Sequence, residues 1–218
     1  MKSATLKKPR RPADEELWER RREEILDAAA VMFARHGYAG TDTQFLVDKL
    51  GVGKGTLYRY FRSKEELFLA AVDRAMHIAR HTVDDGIQNI EDPLDRIAQA
   101  IRIYLGFFAD HPDYVELLMQ ERAQFKDRKT PTYFQHRNAN VERWRAVYRS
   151  LIADGRIRQM PVERITDVMG DLVYGTMFTN YFTGRQKPLD EQAQDILDIV
   201  FHGVFTEAER KRRPPKTT

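Results

Sequence analysis

Residues 52–67, VGKGTLYRYFRSKEEL, put two glycines, Thr56, Tyr58, Arg59 and Tyr60 within one short turn and helix. A helix that only filled a core would carry Leu or Ile at these positions. One built only for solubility would carry Glu, Lys and Gln. Upstream, Thr41 or Asp42 offers an N-cap for a short helix through Leu50, with Phe45, Leu46, Val47 and Leu50 as its buried side and Gly51 to end it. Only Gly51, Val52 and Gly53 separate that helix from the next, about Lys54–Phe61, so the two must cross steeply as a helix-turn-helix. Leu57 and Phe61, four apart, anchor the second of them. Lys54, Gly55, Thr56, Arg59 and Tyr60 then point outward.

Working outward, helical periodicity runs through the chain and strand signals are scarce. Trp18, Ile25, Leu26, Ala29, Met32 and Phe33 form an apolar stripe over about Glu15–Arg35, stopped by Gly37. Ser63 and Glu66 form a capping box that opens a long fourth helix reaching Asp85 before Gly86. Five more helices are expected: Pro93–Ala109, Pro112–Gln124, Thr132–Asp154, Pro161–Phe182 and about Asp190–Glu209. The fold class is therefore all-α, about nine helices. The expected domains are a basic arm over 1–16, a helix-turn-helix domain over 17–65, a helical effector-binding and dimerisation body over 66–209, and a basic tail over 210–218.

With 42% hydrophobic and 32% charged residues, the chain fits a soluble globular protein with a core. It has no apolar run near the ~20 residues of a membrane span, and no apolar stretch follows its basic start as in a secretory signal. The absence of cysteine excludes disulfides, thiolate metal sites and cysteine nucleophiles. A cytoplasmic protein is expected. The net charge of +3 divides unevenly: +4 over residues 1–65, −6 over 66–209 and +5 over 210–218. That pattern suggests a nucleic-acid-facing front and an acidic body.

A major groove about 12 Å wide admits such a helix. Arg59 can donate to guanine, and the Thr56 methyl can meet thymine. The hydroxyls of Tyr58 and Tyr60 and the ammonium of Lys64 suit phosphate oxygens, which fix the pose without reading sequence. Gly55 costs roughly 1 kcal/mol of helix stability relative to Ala, which is tolerable where DNA must come close. The segment GYAGTDTQFLVDKLGVGKGTLYRYFRSKEEL, with ILDAAAVMFARHGY before it, closely resembles the DNA-binding signature of the TetR/AcrR family of bacterial transcriptional repressors. The resemblance spans about Ile25–Leu67, with small, aromatic and charged positions in register. It implies DNA contacts at Thr43, Gln44, Lys54, Gly55, Thr56, Tyr58, Arg59, Tyr60 and Lys64. The family most often has serine where Gly53 stands and commonly serine at Asp42, and more usually alanine at Val47 and Leu50. The basic arm Lys7-Lys8-Pro9-Arg10-Arg11 could enter a minor groove, or act as a tail that adds only salt-dependent affinity.

The resemblance also implies a homodimer on a near-palindromic operator, with a small-molecule effector inside the body whose binding shifts the fourth helix and releases double-stranded DNA. The segments VMGDLVYGTMF and DILDIVFHGVF are apolar on more than one face, and Gly170, Gly175 and Gly203 would allow close helix approach. Tyr174, Ile196, Ile199, Val200 and Val204 are the expected dimer contacts. For an apolar or aromatic effector, Phe107, Phe108, Tyr133, Trp144, Tyr174, Phe178 and Asn180 are the candidate lining.

Asp73, His77 and His81 share one face of the fourth helix, with Asp84 nearby. Two histidines a turn apart can hold zinc or nickel. No ligand cluster elsewhere completes such a site, so no metal and no cofactor is expected. No nucleophile elbow, phosphate-cradling glycine loop or HExxH is present, which argues against an enzyme. The alternative is a helical protein–protein adaptor without specific DNA binding, in which alanine at Tyr60 and Lys64 would leave partner binding intact.

Overall fold

A computed structural model describes residues 12–185, 187–204 and 207–212. The basic arm at Lys7–Arg11 and the tail beyond Arg212 lie outside the described residues. Among those residues the chain is all-helical: α1 Pro12–Gly40, α2 Thr43–Leu50, α3 Lys54–Tyr60, α4 Lys64–Ile87, α5 Pro93–Asp110, α6 Pro112–Gln124, α7 Thr132–Ala153, α8 Val162–Thr183, α9 Leu189–His202 and the short α10 Glu207–Arg212. They form two compact units. Of the described residues, the first holds those up to Met76 together with Glu116–Tyr133, and the second holds the others.

The first unit is built by faces that the sequence pattern forces together. Ile25, Leu26, Ala29 and Phe33 of α1, Leu46 and Val47 of α2, Leu57 of α3, Phe61, and Leu67, Phe68 and Val72 of α4 are all 2% exposed or less. At its centre an aromatic cluster joins Phe33, Tyr38, Phe68 and Phe125: Phe68 meets Phe33 edge-on at 5.0 Å, Tyr38 at 5.2 Å and Phe125 at 5.6 Å between ring centroids. Gln120 on α6 donates to the Phe33 carbonyl at 2.9 Å. The buried carboxylate of Glu121 accepts from the Thr132 amide and hydroxyl at 3.0 and 2.9 Å and pairs with Arg128 at 2.8 Å. An ionised group taken out of water needs such partners, and these tie the start of α7 to α6.

Three sequence expectations change here. Phe45 is 59% exposed rather than buried. At 100° per residue, positions 43, 46, 47 and 50 form the inner face of the eight-residue α2, and Phe45 falls on the opposite side. The last long helix stops at His202, not Glu209, because Gly203 takes a φ of +73°. The fourth helix runs two residues past its expected end: Gly86 stays helical, and a Cβ there would lie 2.2 Å from Ile103 Cδ1 of α5. A side chain there would make the end of Ile103 shift.

In the second unit, α5 packs against α8 and α9, which also touch each other. Ile97, Ile101, Leu105 and Phe108 of α5 join Met177 of α8 and Ala193 and Leu197 of α9 in its core. Val83, Ile87 and Ala100 make a further cluster with Trp144 packed on it. Asp92 caps α5 by accepting from the Leu94 and Asp95 amides at 2.8 and 3.2 Å. A hydrogen bond from Arg156, then those amides, hold its carboxyl below the usual carboxylate range. Burial pushes the Tyr148 phenol far above its ordinary value, so it stays protonated in the core.

Candidate nucleic-acid interface

The helix-turn-helix is closed by backbone chemistry at both corners. Asp42 caps α2 by accepting from the Gln44 amide at 2.8 Å. Thr41, buried beside it, donates its hydroxyl to the Gly37 carbonyl at 2.8 Å, where α1 breaks at a φ of +75°. Gly51 ends α2 in the left-handed region (φ +62°), a conformation that costs a side-chain-bearing residue about 1–2 kcal/mol. The amide of Val52 then returns to the Val47 carbonyl at 3.0 Å. At Gly53 no side chain caps α3; its carbonyl still accepts from Thr56 and Leu57 at 2.8 and 3.3 Å. On the far side, Ser63 Oγ accepts from the Glu66 amide at 3.0 Å. Glu66 reaches back to the Arg62 amide at 2.8 Å, one residue before the cap.

This frame sorts the candidate DNA-contacting residues. Leu57 and Phe61 are 1% and 2% exposed and root α3 in the core. Lys54, Gly55, Tyr58 and Arg59 are exposed, and Thr56 and Tyr60 half-buried. On α2, Gln44 is exposed and donates to Asp48 at 2.9 Å, whereas Thr43 is turned inward at 8% exposure. Lys64 donates to the Ala39 carbonyl at 3.3 Å and lies 4.9 Å from the centre of the Tyr38 ring. Its ammonium is thus held at the start of α4 by the last residues of α1, beyond the break at Gly37.

One neighbour was invisible in the motif. Trp18, near the start of α1, stacks on Tyr60 with centroids 3.8 Å apart, and the Arg59 guanidinium lies 5.9 Å from its ring. The sequence placed Trp18 in an apolar stripe, but 42 residues separate it from Tyr60. Nothing local announces the stack.

In the second unit the candidate residues fall into separate groups. Phe107 and Phe108 are buried, and Phe107 lies among His111 at 4.7 Å and Tyr114 at 5.8 Å. Tyr174 meets Phe178 at 4.7 Å and Phe134 at 5.6 Å. Trp144 sits apart on the Val83 cluster, and Tyr133 belongs to the first unit. The side-chain oxygen of Asn180 is buried and accepts no hydrogen bond from the described residues. Of the expected dimer contacts, Ile199 and Val204 are 49% and 74% exposed, and Tyr174 and Val200 are half-buried. Ile196 turns inward at 8%. Gly170 receives the Arg137 guanidinium, about 3 Å from where a Cβ would stand, and not a second helix. Among the described residues, no helix is long and apolar enough to cross a membrane.

Residues 25–71 match the family described as "Bacterial regulatory proteins, tetR family", and residues 91–204 match "Tetracyclin repressor-like, C-terminal domain". The chain belongs to the TetR family of transcriptional regulators. Among its relatives is the transcriptional repressor KstR2 of Mycobacterium tuberculosis, 26% identical over 195 residues, which cover 86% of this chain and 94% of KstR2. Another is the HTH-type regulator YerO of Bacillus subtilis, 24% identical over 188 residues. There the match takes in 83% of this chain and 62% of the longer YerO. The fold is shared with the Bacillus subtilis regulator FadR in complex with stearoyl-CoA, at a TM-score of 0.66 and 18% identity, covering 84% of this chain and 99% of that one. For this TetR-family regulator, the helix-turn-helix built by α2 and α3 is the element that binds DNA.

Proposed function

We propose that the chain is a homodimeric repressor that binds a near-palindromic operator through paired copies of α3 and releases it when a small apolar molecule enters the second unit. The exposure pattern of α3 carries this reading. One face is locked in the core through Leu57, while Lys54, Tyr58 and Arg59 stand in solvent beside Gly55. A helix so rooted presents donors at fixed positions, as reading base edges requires. The test is a titration against labelled duplex from beside its own gene, with a scrambled duplex of equal length, each at two salt concentrations. The native duplex is expected to bind at least about 1,000-fold more tightly, at the low end for specific recognition. Equal, weak binding of duplexes from across the genome would favour the adaptor reading.

An exposed stripe on α8 supports the homodimer. Val168, Leu172 and Phe182 are 49%, 39% and 67% exposed, with the bare Gly175 between them. Steps of four, three and seven residues keep them on one helical face, and Ile199 adds to the apolar surface from α9. A second copy related by a two-fold axis would cover this surface with itself. Leu172→Arg is accordingly expected to shift sedimentation from dimer to monomer and to weaken operator binding by at least about tenfold, since one half-site grips poorly alone. A variant that still sediments as a dimer would move the interface elsewhere.

For the effector, the aromatic groups around Phe107 and Tyr174 favour an apolar body, and the unpaired Asn180 oxygen offers one acceptor to orient it. An acyl chain of the kind held by FadR as stearoyl-CoA has that chemistry. Stearoyl-CoA is therefore the first compound to add to the operator complex.

A further inference from the structure

We infer that Trp18 is a positioning residue for DNA recognition, holding the Tyr60 ring so that its hydroxyl meets a phosphate in a fixed pose. The inference rests on the reading that α3 enters the operator. All the residues concerned lie in the first unit. Between Asp14 and Glu24 every residue is charged except Leu17 and Trp18. Trp18, Arg22 and Ile25 fall at i, i+4 and i+7, on one face of α1. Ile25 is fully buried and belongs to the core. The two residues before it on that face reach past the core to the end of α3. There the ring planes of Trp18 and Tyr60 lie 23° apart, stacked. The Arg22 guanidinium lies 5.4 Å from the centre of the Phe61 ring, and the Tyr60 and Phe61 rings are 6.5 Å apart. One face of α1 thereby grips two consecutive side chains where α3 ends.

The build of α3 calls for that grip. It has seven residues, no side-chain cap at Gly53 and a glycine in its first turn. A helix so short does not hold its shape through its own hydrogen bonds. Leu57 and Phe61 root its inner side, and Trp18 braces Tyr60 from the other end of the first unit's sequence. The Arg59 guanidinium, 5.9 Å from the same indole ring, stands at the outer limit of such a contact, so the hold falls on Tyr60. A face-to-face stack leaves the phenol oxygen, which lies in the ring plane, clear of the partner ring. The Tyr60 hydroxyl has no hydrogen-bond partner among the described residues. It is a donor suited to a phosphate oxygen. A donor fixed before binding loses less freedom on contact than one that must be ordered then.

The test is a double-mutant cycle in the full-length protein, read as affinity for the duplex that the wild type selects from a randomised pool. Trp18→Ala is expected to weaken binding about tenfold, the upper end of what an aromatic pair contributes. Trp18→Leu should lose about as much, since it keeps apolar bulk without a ring face, and Trp18→Phe should stay within about threefold of wild type. Tyr60→Phe keeps the stack, removes only the hydroxyl and should itself cost at least about tenfold. In that background Trp18→Ala should cost less than about threefold, because the group it positions is gone. A general loss of stability would instead cost the same factor in both backgrounds. Thermal unfolding followed by circular dichroism shows which variants are folded at the assay temperature, and Trp18→Leu replaces Trp18→Ala in the cycle if alanine unfolds the chain. Equal losses in both backgrounds, or undiminished binding without the indole, would overturn the role of Trp18. The operator reading survives that result if Arg59→Ala still weakens binding. If Arg59→Ala and Lys54→Ala both bind as the wild type does, or the wild type selects no duplex, α3 does not read the operator and both inferences fall.

Discussion

Phe68→Ala is expected to lower the unfolding free energy of the first unit by about 3–5 kcal/mol, the range for removing a fully buried aromatic ring. Phe68 is 0% exposed and lies at the junction of three other rings, Phe33, Tyr38 and Phe125. Its removal opens a cavity and also breaks aromatic contacts worth roughly 0.5–1.5 kcal/mol a pair beyond their area. Those rings come from both sides of the break in α1 at Gly37, from α4 and from the segment after α6, so the loss cannot be absorbed by one helix relaxing. The chain's two tryptophans, Trp18 and Trp144, fall in different units. A Trp144→Phe background therefore leaves Trp18 fluorescence as the reporter of the first unit in a urea titration. Phe68→Leu, which keeps most of the volume, should lose markedly less. A loss below about 1 kcal/mol for alanine would mean that the cluster is not what holds the helix-turn-helix together.

The readable part of this molecule is local. Gly51 and Gly184 adopt the left-handed conformation that ends α2 and α8, and Pro93 opens α5 behind the cap of Asp92. Each is a decision that a few adjacent residues make through backbone geometry, so the pattern along the chain suffices to find them. The rooting of α3 through Leu57 and Phe61 followed from their spacing for the same reason. What stayed hidden needs two distant segments at once. Phe45 is apolar and sits in a helix with one buried side, yet which side depends on where α1 packs. Tyr60 looked free for a phosphate, and Trp18 stacks on it. Lys64 looked equally free, and the Ala39 carbonyl holds it. Hydrophobic period and capping chemistry fix the elements; side-chain partners across the chain are set by packing, which no local spacing encodes.

That distinction decides which substitutions test operator binding cleanly. Alanine at Tyr60 would strip a ring from Trp18, and alanine at Lys64 would remove a hydrogen bond to Ala39, so both changes disturb the scaffold together with any phosphate contact. Arg59 and Lys54 are exposed, and neither contributes to the buried core. Arg59→Ala is expected to cost about 1–3 kcal/mol of operator affinity, roughly 5- to 150-fold, and to relax the base preference at one position of each half-site. Lys54→Ala should instead weaken all duplexes about equally and reduce the slope of log affinity against log salt by about one, as the loss of a single phosphate contact does. The Arg59 guanidinium now lies over Trp18, a contact worth about 0.5–1 kcal/mol at an exposed site. Removing that contact is too small a change to mimic the loss of base readout, and it carries no sequence preference. Selection of bound fragments from a randomised duplex pool separates the cases. If the Arg59→Ala pool keeps the wild-type consensus and only binds more weakly, Arg59 holds the backbone, and the reading of bases passes to Thr56 and Tyr58 on the same helix.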